Sequence, residues 1–136
     1  MIDPLAEQKL LDKLPAQFNN TDLLHRAMCH RSYLNENEDM NEDNERLEFL
    51  GDAVLGLLVA EWLYKRFPDK PEGFLTKARA LLVRTENLAK YARGIEIGPA
   101  LLLSKGEEMT GARERDSVLC DAFEALVAAV YLDQGM

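Results

Sequence analysis

The chain has 136 residues, 47% of them hydrophobic, and a formal net charge of −8 at pH 7. This length suits one compact domain, and the apolar fraction is enough for a hydrophobic core. The overall charge argues against a polyanionic partner, but it is unevenly spread, because residues 65–93 carry +5 and the remainder carries −13. A basic band on an acidic protein is compatible with nucleic-acid binding.

Cysteine usage and hydropathy indicate the compartment. Cys29 and Cys120 have no metal-ligand spacing and form no obvious disulfide framework, which favours a reducing, intracellular setting. The N-terminus lacks the continuous apolar run of a signal peptide. The most apolar segment, 47–63, contains three acids and is too short to span a bilayer. We therefore expect a soluble, cytoplasmic protein without a membrane partner.

The hydrophobic pattern predicts helices almost throughout the chain. A second helix is expected to begin with Asn20 or Thr21 as its N-cap, and Gly94 is expected just after the end of a later helix. Between helices, 35–43 is predicted to be a solvated acidic loop, and 95–115 a loop-rich passage. A short first helix is predicted at 5–14, and longer helices are predicted at 44–66, 75–93 and 116–133.

Two of the predicted helices carry carboxylate pairs within apolar runs. Asp121 and Glu124 are three residues apart, whereas Glu48 and Asp52 are four apart, with Glu45 one turn earlier. At about 100° per residue, each pair lies on one face of its helix. Helices that are apolar on most sides are expected at the centre of a bundle, where clustered carboxylates face desolvation and mutual repulsion.

Three kinds of partner could offset this cost. The acids could be protonated, could pair with bases such as Arg46, Arg113 or Arg115, or could bind a divalent cation. Mg²⁺ prefers oxygen ligands and supports phosphodiester hydrolysis. The sequence lacks the Glu-x-x-His pattern of di-iron bundles, a Cys/His set for zinc and a glycine-rich phosphate loop.

Two glycines interrupt the first acidic helix. Gly51 and Gly56 each cost about 1 kcal/mol relative to alanine inside a helix. A helix that carries both is expected to gain a close approach to another backbone in return. This pattern favours a functional site over isolated surface acids.

The stretch NERLEFLGDAVL, residues 44–55, resembles the signature of the ribonuclease III endonuclease domain. Three further stretches resemble other blocks of that family in the same order: FNNTDLLHRAMCHRSY, PEGFLTKARALLV and SKGEEMTGARERDSVLCDAFEALVAAVYLDQG. The resemblance implies an all-α, ribonuclease III endonuclease-like helical bundle and a symmetric homodimer. Residues 1–136 would form one catalytic domain. Because the family usually continues into a double-stranded-RNA-binding domain, we expect this to be a truncated catalytic portion.

The resemblance also implies an activity and its residues. The expected reaction is Mg²⁺-dependent hydrolysis of double-stranded RNA in RNA processing, giving 5′-phosphate and 3′-hydroxyl ends with short 3′ overhangs. Mn²⁺ is expected to substitute for Mg²⁺. Carried over by position, Asp52 and Glu124 are catalytic, and the full set of metal ligands is Glu48, Asp52, Asp121 and Glu124. Weaker matches are the additional cleft acids Glu45 and Glu72 and the dimer-contact residue Phe49, for which an ordinary core position is the alternative.

Other interpretations stay open at the level of sequence. The chain could be a non-catalytic RNA-binding or assembly module on the same fold, although the presence of all four acids favours the enzyme. It could also be an acidic helical scaffold with structural ion pairs. The basic band on 75–93 could contact phosphates or be a solvated helix face. We expect His30 to be a hydrogen-bonded packing residue, and both cysteines to be small core residues.

Overall fold

The computed structural model describes residues 1–15 and 17–135 and is helical over that range. Within these residues an isolated bridge joins Cys29 and Leu102, and no strand is formed. The predicted all-α class is confirmed. The seven α-helices are α1 (Pro4–Lys13), α2 (Thr21–Ala27), α3 (Glu45–Arg66), α4 (Glu72–Leu82), α5 (Thr85–Gly94), α6 (Lys105–Met109) and α7 (Asp116–Gln134).

Helix α7 is the centre of the bundle and packs against α2, α3 and α5. Its buried face is built largely from small residues, since Ala122, Ala125, Ala128 and Ala129 have no exposed surface. Small side chains let neighbouring helix backbones approach closely, so α7 can be surrounded on several sides. None of the helices in the described residues has the length and apolarity needed to cross a membrane.

The predicted single helix at 75–93 is wrong, because the chain forms two helices there. Arg84 adopts an extended backbone (φ −67°, ψ 156°) between α4 and α5, and the Asn87 side chain donates to the Leu81 carbonyl at the end of α4. The break lets α5 turn and bury Ala89 and Ala92 in the core. None of the residues 72–82 that form α4 is buried within this chain.

Helix ends were predicted with mixed success. Asn20 is the N-cap of α2, and its side chain accepts a hydrogen bond from the Asp22 N–H at 3.0 Å, as expected. Asp133, near the end of α7, accepts from the backbone N–H groups of Asn19 and Asn20 at 2.8 Å each, which ties α7 to α2. Gly94 is the last residue of α5 and not the residue after it.

Candidate active site

The site begins with a close contact between α3 and α7. A Cβ atom added to Gly51 would lie 1.7 Å from the backbone oxygen of Glu124 and 2.5 Å from its carbonyl carbon. Only glycine allows the two helices to cross at this distance, so the predicted close approach is confirmed at Gly51. It is wrong for Gly56, where an added Cβ would meet no atom of the described residues within 4 Å.

This crossing brings the two predicted carboxylate pairs into one cleft. The cleft has a volume of about 660 Å³, and Glu48 and Asp52 line it from α3 while Asp121 and Glu124 line it from α7. Glu124 is only 9% exposed, Glu48 and Asp121 are half-buried, and Asp52 is exposed at the opening. These four acids, the quartet, therefore face a common space, and Glu45 borders the same cleft.

The cleft perturbs the titration of its acids. Burial raises the pKa of Glu124 to about 8, and a hydrogen bond to Asp52 and the charges of the other acids add to the shift. Burial likewise raises the pKa of Glu48 to about 7, helped by the charge of Asp121 and a hydrogen bond with it. The pKa of Asp121 is also raised, mainly by burial. Glu48 and Glu124 therefore retain protons near neutral pH unless a cation replaces them.

Basic side chains do not neutralise the quartet. Within residues 1–15 and 17–135, none of the salt bridges up to 4.0 Å involves one of the four acids. Arg113 donates instead to Glu108, with 2.9 Å between Nε and Oε1, and also to two backbone carbonyls. Arg115 lies at the cleft but faces Glu107 at 3.5 Å. The scaffold interpretation, which requires structural ion pairs at these acids, is not supported.

The donor set fits a hard divalent cation. Four carboxylates supply only oxygen, the ligand type that Mg²⁺ prefers, and the cleft is open enough to admit waters and a phosphate. Single ligand atoms of Cys120, Asp121 and Glu124 all lie within 4.8 Å of one another. A cation would also offset the burial and the mutual repulsion that raise the pKa values of Glu48 and Glu124.

Cys120 contacts a residue of the site, although it was predicted from the sequence to be only a small core residue. Its Sγ lies 3.7 Å from Oε1 of Glu124, one helical turn away. Burial raises the pKa of the thiol to about 12, so the sulfur keeps its proton and donates to the carboxylate. The spacing of four between Cys120 and Glu124 was the signal available in the sequence.

His30 is hydrogen-bonded, as expected, but it also lines the cleft. Its Nδ1 accepts from the backbone N–H of Ser32 at 3.1 Å and lies 2.8 Å from the Ser32 hydroxyl, whose oxygen accepts from the Ser104 N–H at 3.0 Å. Burial lowers the pKa of His30. The neutral ring therefore carries its proton on Nε2.

The two weaker predictions outside the quartet, Glu72 and Phe49, do not lie among its carboxylates. Glu72 is exposed in the first turn of α4 and does not line the cleft of the single chain. Phe49 is 82% exposed at the rim of the cleft, so its alternative role as an ordinary core residue is wrong. A part for Phe49 in dimerisation and for Glu72 in the cleft stays a prediction.

The helical bundle and its acidic cleft define a helical domain with a site suited to a divalent cation. The family described as ribonuclease-III-like matches residues 20–136, and the chain belongs to that family. It is 51% identical over 130 residues to ribonuclease 3 of Geobacillus kaustophilus, covering 95% of this chain and 53% of that protein. Ribonuclease 3 of Enterococcus faecalis is 50% identical over 134 residues, covering 98% and 58%.

The likeness extends to three dimensions. A solved nuclease domain of ribonuclease III from Campylobacter jejuni, described for flexibility in a region involved in dimer formation, superposes with a TM-score of 0.86. The two are 41% identical, and the match covers 94% of this chain and 86% of the other. The chain spans about half the length of the curated relatives it matches. The predicted fold and family are thus confirmed.

Proposed function

We propose that this chain is the catalytic domain of an Mg²⁺-dependent endonuclease that hydrolyses phosphodiester bonds of double-stranded RNA. The observation that carries the proposal is the meeting of two carboxylate pairs at the Gly51–Glu124 contact, where the pKa values of Glu48 and Glu124 are raised. Relatives named ribonuclease 3 match almost the whole of this chain. An RNA substrate in turn implies that the protein functions in the cytoplasm, in RNA processing.

The four acids would divide the work according to their burial. Glu124 and Glu48, whose pKa values burial raises to about 8 and about 7, would hold the metal directly, and Asp121 would ligate it or orient the others. Asp52, exposed at the opening, would position metal and water. When bound, Mg²⁺ supplies an activated water near neutral pH and stabilises charge on the phosphate, and Mn²⁺ would serve in its place. In-line attack of water on phosphorus would leave 5′-phosphate and 3′-hydroxyl ends.

We infer that the chain acts as a homodimer through the outer face of α3 and α4. Leu57, Trp62 and Leu81 are 59%, 55% and 56% exposed, respectively, and Phe49 on α3 is 82% exposed. Large exposed apolar patches usually mark interaction surfaces. Two cleavage sites related by the dimer axis would cut opposite strands and leave short 3′ overhangs. Glu72 would reach a cleft only from the second copy.

Cleavage of a long RNA duplex tests the proposal. We expect cutting with Mg²⁺ or Mn²⁺, no cutting with a chelator, and loss of cutting in Glu124→Gln, which removes one anionic ligand but keeps the shape of the side chain. Glu61→Gln is the matched control, because Glu61 is an exposed acid on α3 outside the cleft. Its activity should equal that of the wild type.

Two results would contradict the proposal. Duplex binding without cutting under every metal condition would favour the non-catalytic RNA-binding or assembly module. Full activity in a folded, dimeric Glu124→Gln variant would remove Glu124 from the mechanism. Circular dichroism and sedimentation velocity on the same samples establish that the variant is folded and dimeric.

A further inference from the structure

Behind the acidic cleft, a buried thiol contacts the quartet. Cys120 is 6% exposed, does not line the cleft, and sits one turn before Glu124 on α7. Its S–H donates to Oε1 of Glu124 across 3.7 Å. The most buried carboxylate of the quartet therefore accepts a hydrogen bond from a residue that does not line the cleft.

Glu124 needs such a contact more than the other acids do. Its backbone is fixed by the crossing at Gly51, but its side chain has rotatable bonds of its own and no basic partner among the described residues. The S–H donor on Oε1 restrains the side chain of a carboxylate that lines the cleft. Donors of this kind behind a metal ligand fix its orientation and raise metal affinity.

We propose that Cys120 is a positioning residue, whose thiol orients Glu124 for metal binding through the S–H to Oε1 hydrogen bond. The inference rests on the proposed function, since it takes the quartet to be a metal site. It assigns to the thiol a role that mere filling of the core would not require. The donor, and not the volume of the side chain, is therefore what a substitution must preserve.

Titration of Mn²⁺ into the RNA-free chain, followed by calorimetry, tests this role without reference to activity. We expect Cys120→Ala to weaken Mn²⁺ binding by about tenfold, the lower end of the effect of losing a contact behind a metal ligand. Cys120→Val, which retains bulk without a donor, should weaken it similarly. Cys120→Ser retains a donor and should stay within about threefold of the wild type.

Cys29→Ala is the matched control, because Cys29 is also fully buried but its thiol faces the backbone carbonyl of His30 and not a carboxylate. It should bind Mn²⁺ as the wild type does. The Mg²⁺ concentration for half-maximal cleavage of duplex RNA should move in the same order across the variants. If Cys120→Ala does not fold, the comparison of Cys120→Val with Cys120→Ser decides.

The outcomes separate this inference from the proposed function. Wild-type affinity in both Cys120→Ala and Cys120→Val would overturn the role of the thiol. Equal weakening in Cys120→Ser and Cys120→Ala, or in Cys29→Ala, would also overturn it, because the donor would then not be the cause. Failure of the wild-type chain to bind Mn²⁺ at all would overturn the proposed function, and this inference with it.

Discussion

Glu124 combines burial with acidic neighbours, and an ordinary core residue does not have both. It is 9% exposed, and its backbone is locked against α3 at Gly51, yet its neighbours in space are other acids. Burial and these neighbours both favour the protonated form. In the metal-free chain, Glu124 is thus a residue whose ionisation costs stability, and a bound cation is what would recover that cost.

This conflict predicts how the stability of the metal-free chain depends on pH. The pKa of Glu124 is raised from 4.5 to about 8, so its contribution is fully present below pH 4.5 and is lost as the pH rises through 8. After allowance for water in the open cleft, the loss should be on the order of 2 kcal/mol. Glu124→Gln cannot ionise and should lack this loss.

The measurement is chemical denaturation of both proteins from pH 4.5 to 9 in the presence of a chelator. The free energy of unfolding of the wild type, taken relative to Glu124→Gln, should fall over that range. The use of a difference removes the effects of other titrating groups that the two proteins share. A difference that stays constant with pH would show that Glu124 is not buried among acids.

At the scale of elements, the crossing of α3 and α7 positions the four acids of the site. The sequence predicted both helices to within a residue or so at their ends and placed each carboxylate pair on one face. It also signalled the contact through Gly51. The helix pattern alone did not show that the two acidic faces meet, because the packing partner of a helix depends on the whole fold. Only the family resemblance implied the meeting, through the shared set of metal ligands.

Substitution of the two α3 glycines tests the crossing. Gly51→Ala would push a methyl group into the Glu124 carbonyl, so the helices must separate, and we expect a loss on the order of 3 kcal/mol in stability together with weaker Mn²⁺ binding. Gly56→Ala meets open space in this chain and should lie within about 1 kcal/mol of the wild type. Similar melting temperatures for the two variants would contradict the crossing.

The break between α4 and α5 shows where sequence reasoning failed. Residues 75–93 contain no Pro or Gly, the usual signals for a helix end, and their apolar pattern continues across the junction. The break at Arg84 arises from tertiary packing, because α5 buries Ala89 and Ala92 in the core whereas α4 stays at the surface.

The segment 35–43 was predicted to be a solvated acidic loop, but it is not simply solvated. Asp39 accepts a hydrogen bond from the Tyr33 hydroxyl at 2.9 Å.

At the scale of the whole molecule, two surfaces are exposed in the single chain. One is the apolar face of α3 and α4, and the other is part of the basic band, where Lys77, Arg79 and Lys90 are exposed whereas Arg93 pairs with Asp116. The predictions for Phe49 and Glu72 depend on the first surface, and phosphate contacts depend on the second. A single sequence could propose these residues but could not supply the second copy or the RNA that would use them.

The apolar face gives a prediction about assembly. Leu57→Glu places a charge on an exposed apolar residue of α3 and should raise the dimer dissociation constant at least about tenfold, a change of roughly 1.4 kcal/mol. Met109→Glu is the control, since Met109 is 88% exposed and lies on α6, which is not one of the two helices of this face. Sedimentation velocity at several concentrations measures both. An unchanged dimer in Leu57→Glu would place the interface elsewhere.

The most direct test of the metal site is anomalous diffraction from a crystal of this chain soaked in Mn²⁺. A peak is expected in the α3–α7 cleft, within coordinating distance of Glu48 and Glu124 and bordered by Asp52 and Asp121. The same soak of Glu124→Gln should lose or weaken that peak. A wild-type crystal with Mn²⁺ bound only outside the cleft, or with an empty cleft at saturating Mn²⁺, would contradict the metal site and the hydrolytic function proposed from it.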